Sequence, residues 1–207
     1  NHNIVSQILD EIENFDEVAE HRKDAYRNIL KAYNYNNAMP DSALLFADKA
    51  LNYFKITNEA KVIINLLNLK GQLNSRLNNY LLAEESYFEA LQFVKEFGLD
   101  ERGVLNELTK LYMRVGAVEI ALGRYNQILE LEIDPDRECA TLLNISNAHK
   151  RNHDLEKAKQ VLLPCKDNFN VTEEVQIAIY RSLSDLERIW GNYDQQISLI
   201  NKAIEIE

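Results

Sequence analysis

NNYLLAEESYFEAL, residues 78–91, holds the pattern from which the architecture of this chain can be read. A polar break, Asn78-Asn79, precedes an aromatic, Tyr80. Small and aromatic residues then follow at helical spacing: Ala83, Tyr87 and Ala90. Residues four and seven apart share one face of a helix, so this segment presents a narrow seam against which another helix can pack closely. The same small-residue anchor recurs at Ala43, Ala121 and Ala158, with Gln196 at the fifth equivalent position, a period of 37 to 40 residues. Seven residues beyond each anchor stand Ala50, Ala90, Ile128, Cys165 and Ala203. A fixed period in this range marks stacked two-helix repeats, not one globular core.

The periodicity predicts first helices near 20–36, 60–77, 101–115, 137–152 and 173–190. Second helices are expected near 41–55, 81–97, 118–132, 155–165 and 194–206, with a short leading helix over 3–14. Local turn chemistry fits these breaks. Pro40 stops the first helix, and Asp41 or Ser42 is expected to cap the next. Gly98 suits a C-terminal stop, and Asp134 before Pro135 suits an N-cap followed by proline at the first helical position. Pro164 is expected to end the second helix of the fourth repeat early.

Composition agrees with a helical array. Hydrophobic residues make up 46% of 207, enough for a packed core, while only six glycines and three prolines occur. Twenty-three basic against 33 acidic residues give a formal net charge of −10, a field that repels phosphate backbones and anionic membranes. Binding of nucleic acid and insertion into a membrane are therefore not expected of this chain, and no apolar run approaches a bilayer span. Cys139 and Cys165 do not make a disulfide scaffold; both fall on apolar faces and read as small core residues. The missing initial Met and the helical pattern of the last residues, Ile204 to Glu207, lead us to expect one repeat domain, 1–207, belonging to a longer protein.

These features resemble the tetratricopeptide (TPR) repeat family over residues 20 to 207. The family's turn followed by an aromatic is matched by Asn78-Asn79-Tyr80 and Gly191-Asn192-Tyr193, and more weakly by Gly116-Ala117-Val118 and His153-Asp154-Leu155. The second-helix small residue is Ala83, Ala121 and Ala158, with Tyr87 and Tyr125 as aromatic partners, replaced by Leu162 and Ile200. The first-helix small residue is Gly71, then Thr109, Ser146 and Ser184. The long period and Gln196 depart from the family pattern. The longer units are similar to those of bacterial sensor kinases, transcriptional regulators and peptide-responsive regulators. The resemblance implies an all-α, right-handed superhelical solenoid of about five helix pairs. It further implies a peptide- or protein-binding sensing or scaffolding module in a bacterial signalling or two-component system, cytoplasmic or periplasmic, with no cofactor.

The repeat register then predicts a concave face lined by the first helices. One row reads Asn28, Asn68, Asn106, Leu143 and Arg181; the next Ala32, Gln72, Lys110, Asn147 and Asp185. The last reads Asn36, Arg76, Arg114, Arg151 and Ile189, with Lys150 and Arg188 beside them. Amides can both donate to and accept from an extended peptide backbone, and several bases on one face hold a carboxylate better than one. The candidate groove is therefore Asn68, Gln72, Arg76, Asn106, Lys110, Arg114, Asn147, Lys150, Arg151, Arg181 and Arg188. Its expected partner is a peptide segment that is acidic or ends in a free carboxylate. The plainer alternative is that the bases near helix ends only balance dipoles and neighbouring glutamates.

Other chemistry is weaker. His149 and His153 share a metal-like spacing but lack further ligands, and read as a packing residue and a turn residue. No nucleophile elbow, phosphate loop, calcium loop or dinucleotide fingerprint occurs, so an enzyme is not expected. The first half is rich in aromatics, of which Tyr35 and Phe54 are expected to be partly exposed. The last helix carries Ile197, Leu199, Ile200, Ile204 and Ile206 with no polar capping helix after it. That leaves open a cap from the parent protein or a homodimer, and with it the alternative of a passive assembly or dimerisation module using the convex face or the open C-terminal end.

Overall fold

The computed structural model describes residues 20–131, 134–168 and 170–207, and the expected leading helix at 3–14 lies outside them. Among the described residues there are ten α-helices and no strands. They are α1 (Glu20–Tyr35), α2 (Pro40–Thr57), α3 (Ala60–Arg76), α4 (Tyr80–Glu96), α5 (Arg102–Val115), α6 (Val118–Leu131), α7 (Pro135–Arg151), α8 (Leu155–Gln160), α9 (Glu173–Ile189) and α10 (Tyr193–Ile206). A 3-10 turn, Leu163–Cys165, follows α8. No described helix is long and apolar enough to cross a membrane. The chain divides into two compact units, one ending at Leu111 and one running from Tyr112 to Glu207, so α5 contributes to both.

Six of the ten described helices end by a common device. Asn58, Asn78, Gly98, Gly116, His153 and Gly191 all adopt positive φ, between 56° and 82°. Beyond five of them the next amide donates to a carbonyl five residues back at 2.9 Å: Asn79 to Asn74, Leu99 to Val94, Ala117 to Tyr112, Asp154 to His149 and Asn192 to Glu187. This satisfies carbonyls that a helix end would otherwise strand, and it reverses the chain within three residues. Asp134 caps α7 as expected, accepting from the amides of Asp136 and Arg137. At α2 the expectation fails. The helix starts at Pro40 itself, with Met39 as N-cap and no side-chain cap bond, because proline's fixed φ suits the first helical position.

In the N-terminal unit α1 packs on α2, α2 on α3, and α3 on α4. The anchors Ala43, Ala50, Ala83 and Ala90 are fully buried. Tyr26 meets Phe54 edge-on at 5.3 Å between ring centroids, and Phe54 is fully buried, which corrects the expectation of partial exposure. Tyr35 is half-buried and stacks on Phe46 at 5.6 Å.

In the C-terminal unit α6 packs on α7, α7 on α8, and α9 against α7, α8 and α10. Ala121 and Ala158 are fully buried, whereas Gln196 is half-buried. Ser146 Oγ donates to the Ala158 carbonyl at 2.7 Å, so the small residue of α7 bonds directly to the backbone of α8. Cys139 and Cys165 are core residues as expected, but they are also joined by a disulfide, Cα to Cα 5.8 Å, which corrects the reading of two independent thiols. The bond ties α7 to the turn after α8, within a core completed by Leu162, Ile179, Tyr180, Leu183, Leu199 and Ala203. Pro164 does curtail the second helix of the fourth repeat: α8 has six residues, against 14 to 18 in the other second helices.

Candidate functional site

The first helices supply the candidate binding faces, and each compact unit presents its own. In the N-terminal unit, α3 carries Asn68, Gln72 and Arg76 at steps of four, one above the other along the helix. On α5, Asn106 and Lys110 repeat that spacing. Gln72 Nε2 donates to Glu107 Oε2 at 3.1 Å, and Lys110 Nζ pairs with Glu107 Oε1 at 2.7 Å. Glu107 therefore links two successive first helices and partly neutralises Lys110. Sequence reasoning missed it, although its three-residue spacing to Lys110 was a visible signal.

Arg76 works differently. Its Nη1 donates to the Asn36 carbonyl at 3.1 Å, to Asn36 Oδ1 at 2.7 Å and to Asn37 Oδ1 at 3.1 Å, binding the end of α3 to the turn after α1. Asn68 is half-buried, and its Oδ1 is buried without a hydrogen-bond partner among the described residues. A buried acceptor left unpaired costs about 1–3 kcal/mol, so it is poised to accept from an arriving N–H. Asn106 and Asn28 are half-buried. Ala32 and Asn36, placed on the same face by the repeat register, are instead buried. They continue the apolar stripe of Ala25, Tyr26 and Ile29, which turns that part of α1 into the core.

In the C-terminal unit, Arg114 lies exposed in the last turn of α5. On α7, Asn147 and Arg151 are exposed and Lys150 is half-buried. Among the described residues, none of Asn147, Lys150 and Arg151 has a side-chain hydrogen bond or ion pair. On α9, Arg181 pairs with Glu207 at 3.4 Å and Arg188 with Asp185 at 3.6 Å. All four of these groups are more than half exposed, so such pairs contribute about 0–1 kcal/mol and exchange readily for another carboxylate. His153 sits in the turn with φ 60°, and Asp154 beside it caps α8 through the Lys157 amide at 3.2 Å. The hydrogen bonds from Lys157, first by side chain and then by backbone, hold the Asp154 carboxyl below its ordinary range.

Neither a family model nor a curated protein matches the sequence. Solved structures do. A putative kinesin light chain with nearly identical TPR-like repeats, from Podosopora anserina, is 14% identical over 91% of this chain and 97% of its own, with a TM-score of 0.71. RapI in its apo form is 14% identical and matches 99% of this chain at a TM-score of 0.73, although this chain spans only 59% of RapI. A tetratricopeptide repeat protein from Parabacteroides merdae ATCC 43184 is 20% identical over 88% of this chain and 66% of its own, with a TM-score of 0.62. At such identities the likeness shows the fold: an all-α helical repeat of the TPR-like solenoid class.

Proposed function

We propose that this chain, which has the fold of the TPR-like repeat proteins, is a protein-interaction module whose first-helix faces hold peptide segments. The observation that carries this reading is the trio Asn147, Lys150 and Arg151 on α7, which offers amide, ammonium and guanidinium donors with no side-chain partner among the described residues. An acidic side chain or a free C-terminal carboxylate supplies the missing acceptors, and the forked guanidinium suits a carboxylate geometrically. On the N-terminal unit the unpaired Asn68 acceptor, with the amides of Gln72 and Asn106, suits a peptide backbone more than a charge, because Glu107 already pairs with the Lys110 ammonium. Within a larger regulator, a bound segment would favour whichever arrangement of the repeats binds it more tightly, and a linked output would read that shift.

The test is a synthetic library of acidic decapeptides with free or amidated C-termini, titrated against wild type and Lys150→Glu/Arg151→Glu. Selected peptides should lose at least tenfold in affinity to the variant. Absence of any binder, or equal affinity for both proteins, would sink the reading.

A second reading rests on α10. Tyr193, Ile197, Ile200 and Ile204 are 64%, 56%, 38% and 61% exposed and fall at steps of four, three and four, a continuous apolar stripe along one helix face. Such a face fits a second copy of itself. Sedimentation should then give a dimer mass that Ile197→Lys/Ile204→Lys reduces to a monomer; a monomer mass for wild type over the whole accessible concentration range rejects it.

A further inference from the structure

Within the C-terminal unit the early end of α8 leaves a cavity of about 330 Å³. Its walls are Lys159 of α8, Leu163 and Lys166 at the 3-10 turn, Leu183 and Glu187 of α9, and Gln195, Ser198, Leu199 and Lys202 of α10. Three lysines thus surround one carboxylate, in a chain whose net charge is −10. That carboxylate is already satisfied. Glu187, 2% exposed, accepts from Lys159 Nζ at 2.6 Å and from Asn192 Nδ2 at 2.8 Å, and the Gln195 amide nitrogen reaches it at 3.0 Å when turned toward it. Lys202 is committed only loosely, 3.5 Å from the exposed Asp167, with its ammonium over the Tyr180 ring at 5.5 Å. Lys166 Nζ has no ion pair among the described residues. The wall that carries it is fixed, because Cys165 next to it is held by the disulfide to α7.

We propose that this cavity binds a small organic anion, a carboxylate or phosphate monoester carried on an apolar body. Lys166 and Lys202 receive the charge, the Ser198 hydroxyl donates to it, and Leu163, Leu183 and Leu199 take the apolar part. Glu187 does not compete, because its own donors fill it. Instead it holds Lys159 at the rim, where the ammonium lies 5.2 Å from the centroid of the Trp190 ring. The cavity volume falls at the small-ligand end of binding pockets, about 300–1,000 Å³, too small for a folded partner. The site lies between the second helices α8 and α10 with α9 as its third wall, and it does not depend on the peptide-binding reading of the first-helix faces.

Trp190 is the only tryptophan and so reports on the site. N-acetyl-leucine, phenyl phosphate and the neutral N-acetyl-leucinamide would each be titrated while its emission is followed, with amide chemical shifts of residues 159–166 and 195–202 as a second readout. At least one of the two anions should give a saturable change and the amide none, and comparison of the two tells carboxylate from phosphate. Lys166→Gln/Lys202→Gln should weaken the response at least tenfold. Ser198→Glu, at an exposed position, should do the same by repulsion and covers the case in which the lysine variant fails to fold. The proposal is overturned if neither anion saturates below about 10 mM, the weak end of measurable affinity. A response to the amide equal to that of the anions, or unchanged binding in the folded variants, overturns it equally.

Discussion

Gly71 and Tyr87 are in such close approach that a Cβ built on Gly71 would stand 2.4 Å from Cε1 and 2.5 Å from Cζ of the tyrosine ring. The ring is buried and seals α3 against α4. Gly71→Ala should therefore destabilise the protein by about 1–3 kcal/mol through overpacking, against a gain of about 1 kcal/mol from alanine's better helix propensity. Adding Tyr87→Leu should make the effects of the two substitutions non-additive, as expected of residues in contact. Urea unfolding midpoints of the two single variants and the double variant check this.

The disulfide between Cys139 and Cys165 closes a segment with a sequence separation of 26. A loop of that length restricts the unfolded chain by about 3.5 kcal/mol in the chain-entropy account. Cys139→Ala/Cys165→Ala should lower stability by that order, with faster amide exchange at Leu162, Leu183 and Leu199, which share the core with the bond. Equal exchange in both proteins would show that the core holds the turn without the link.

Glu187 gives the C-terminal unit a definite acid sensitivity. Burial alone would raise its carboxyl, but hydrogen bonds from Lys159 and Asn192, helped by the charges of Lys159 and Lys166, outweigh burial and hold it below the ordinary range. A carboxyl lowered in the folded state contributes stability that is complete above about pH 4.3 and lost as the pH falls through the folded value. Glu187→Gln should cost on the order of 2 kcal/mol at neutral pH, the scale of hydrogen bonds to a charged group. The gap to wild type should narrow below about pH 4 in thermal unfolding.

His153 occupies a left-handed conformation at φ 60° in the turn between α7 and α8. A residue with a Cβ pays about 1–2 kcal/mol there, and glycine pays almost none. His153→Gly should raise the unfolding midpoint, whereas His153→Val, branched at Cβ, should lower it.

Much of the fold was legible because helix ends are written in local chemistry. Gly98, Asp134, Asp154 and Pro164 all act as their residue types dictate. Met39 was invisible as a cap because it uses no side-chain bond, and Pro40 was read as a stop when it is also a start. The cysteine pair escaped because periodicity points a side chain toward a core but not toward a partner 26 residues away. Ile200, at the position of the aromatic partner, lies 38% exposed, and Gln196 one turn earlier is not a small residue. The candidate faces were legible as rows of residue types. Their internal commitments were not: Glu107 between Gln72 and Lys110, or Arg76 on the turn after α1, depend on rotamers that sequence does not fix. The anion cavity was hidden more completely, because its lysines lie at 159, 166 and 202, on three segments with no common period.

The left-handed residues that close six of the described helices bear on how the chain tolerates substitution. Asparagine, histidine and glycine all hold the same torsion, and the bonds that seal each joint run between backbone groups. The joints are thus indifferent to most substitutions on the helices they connect. Substitutions along the helix surfaces, and the shortening of α8 before Pro164, leave these backbone-sealed joints in place.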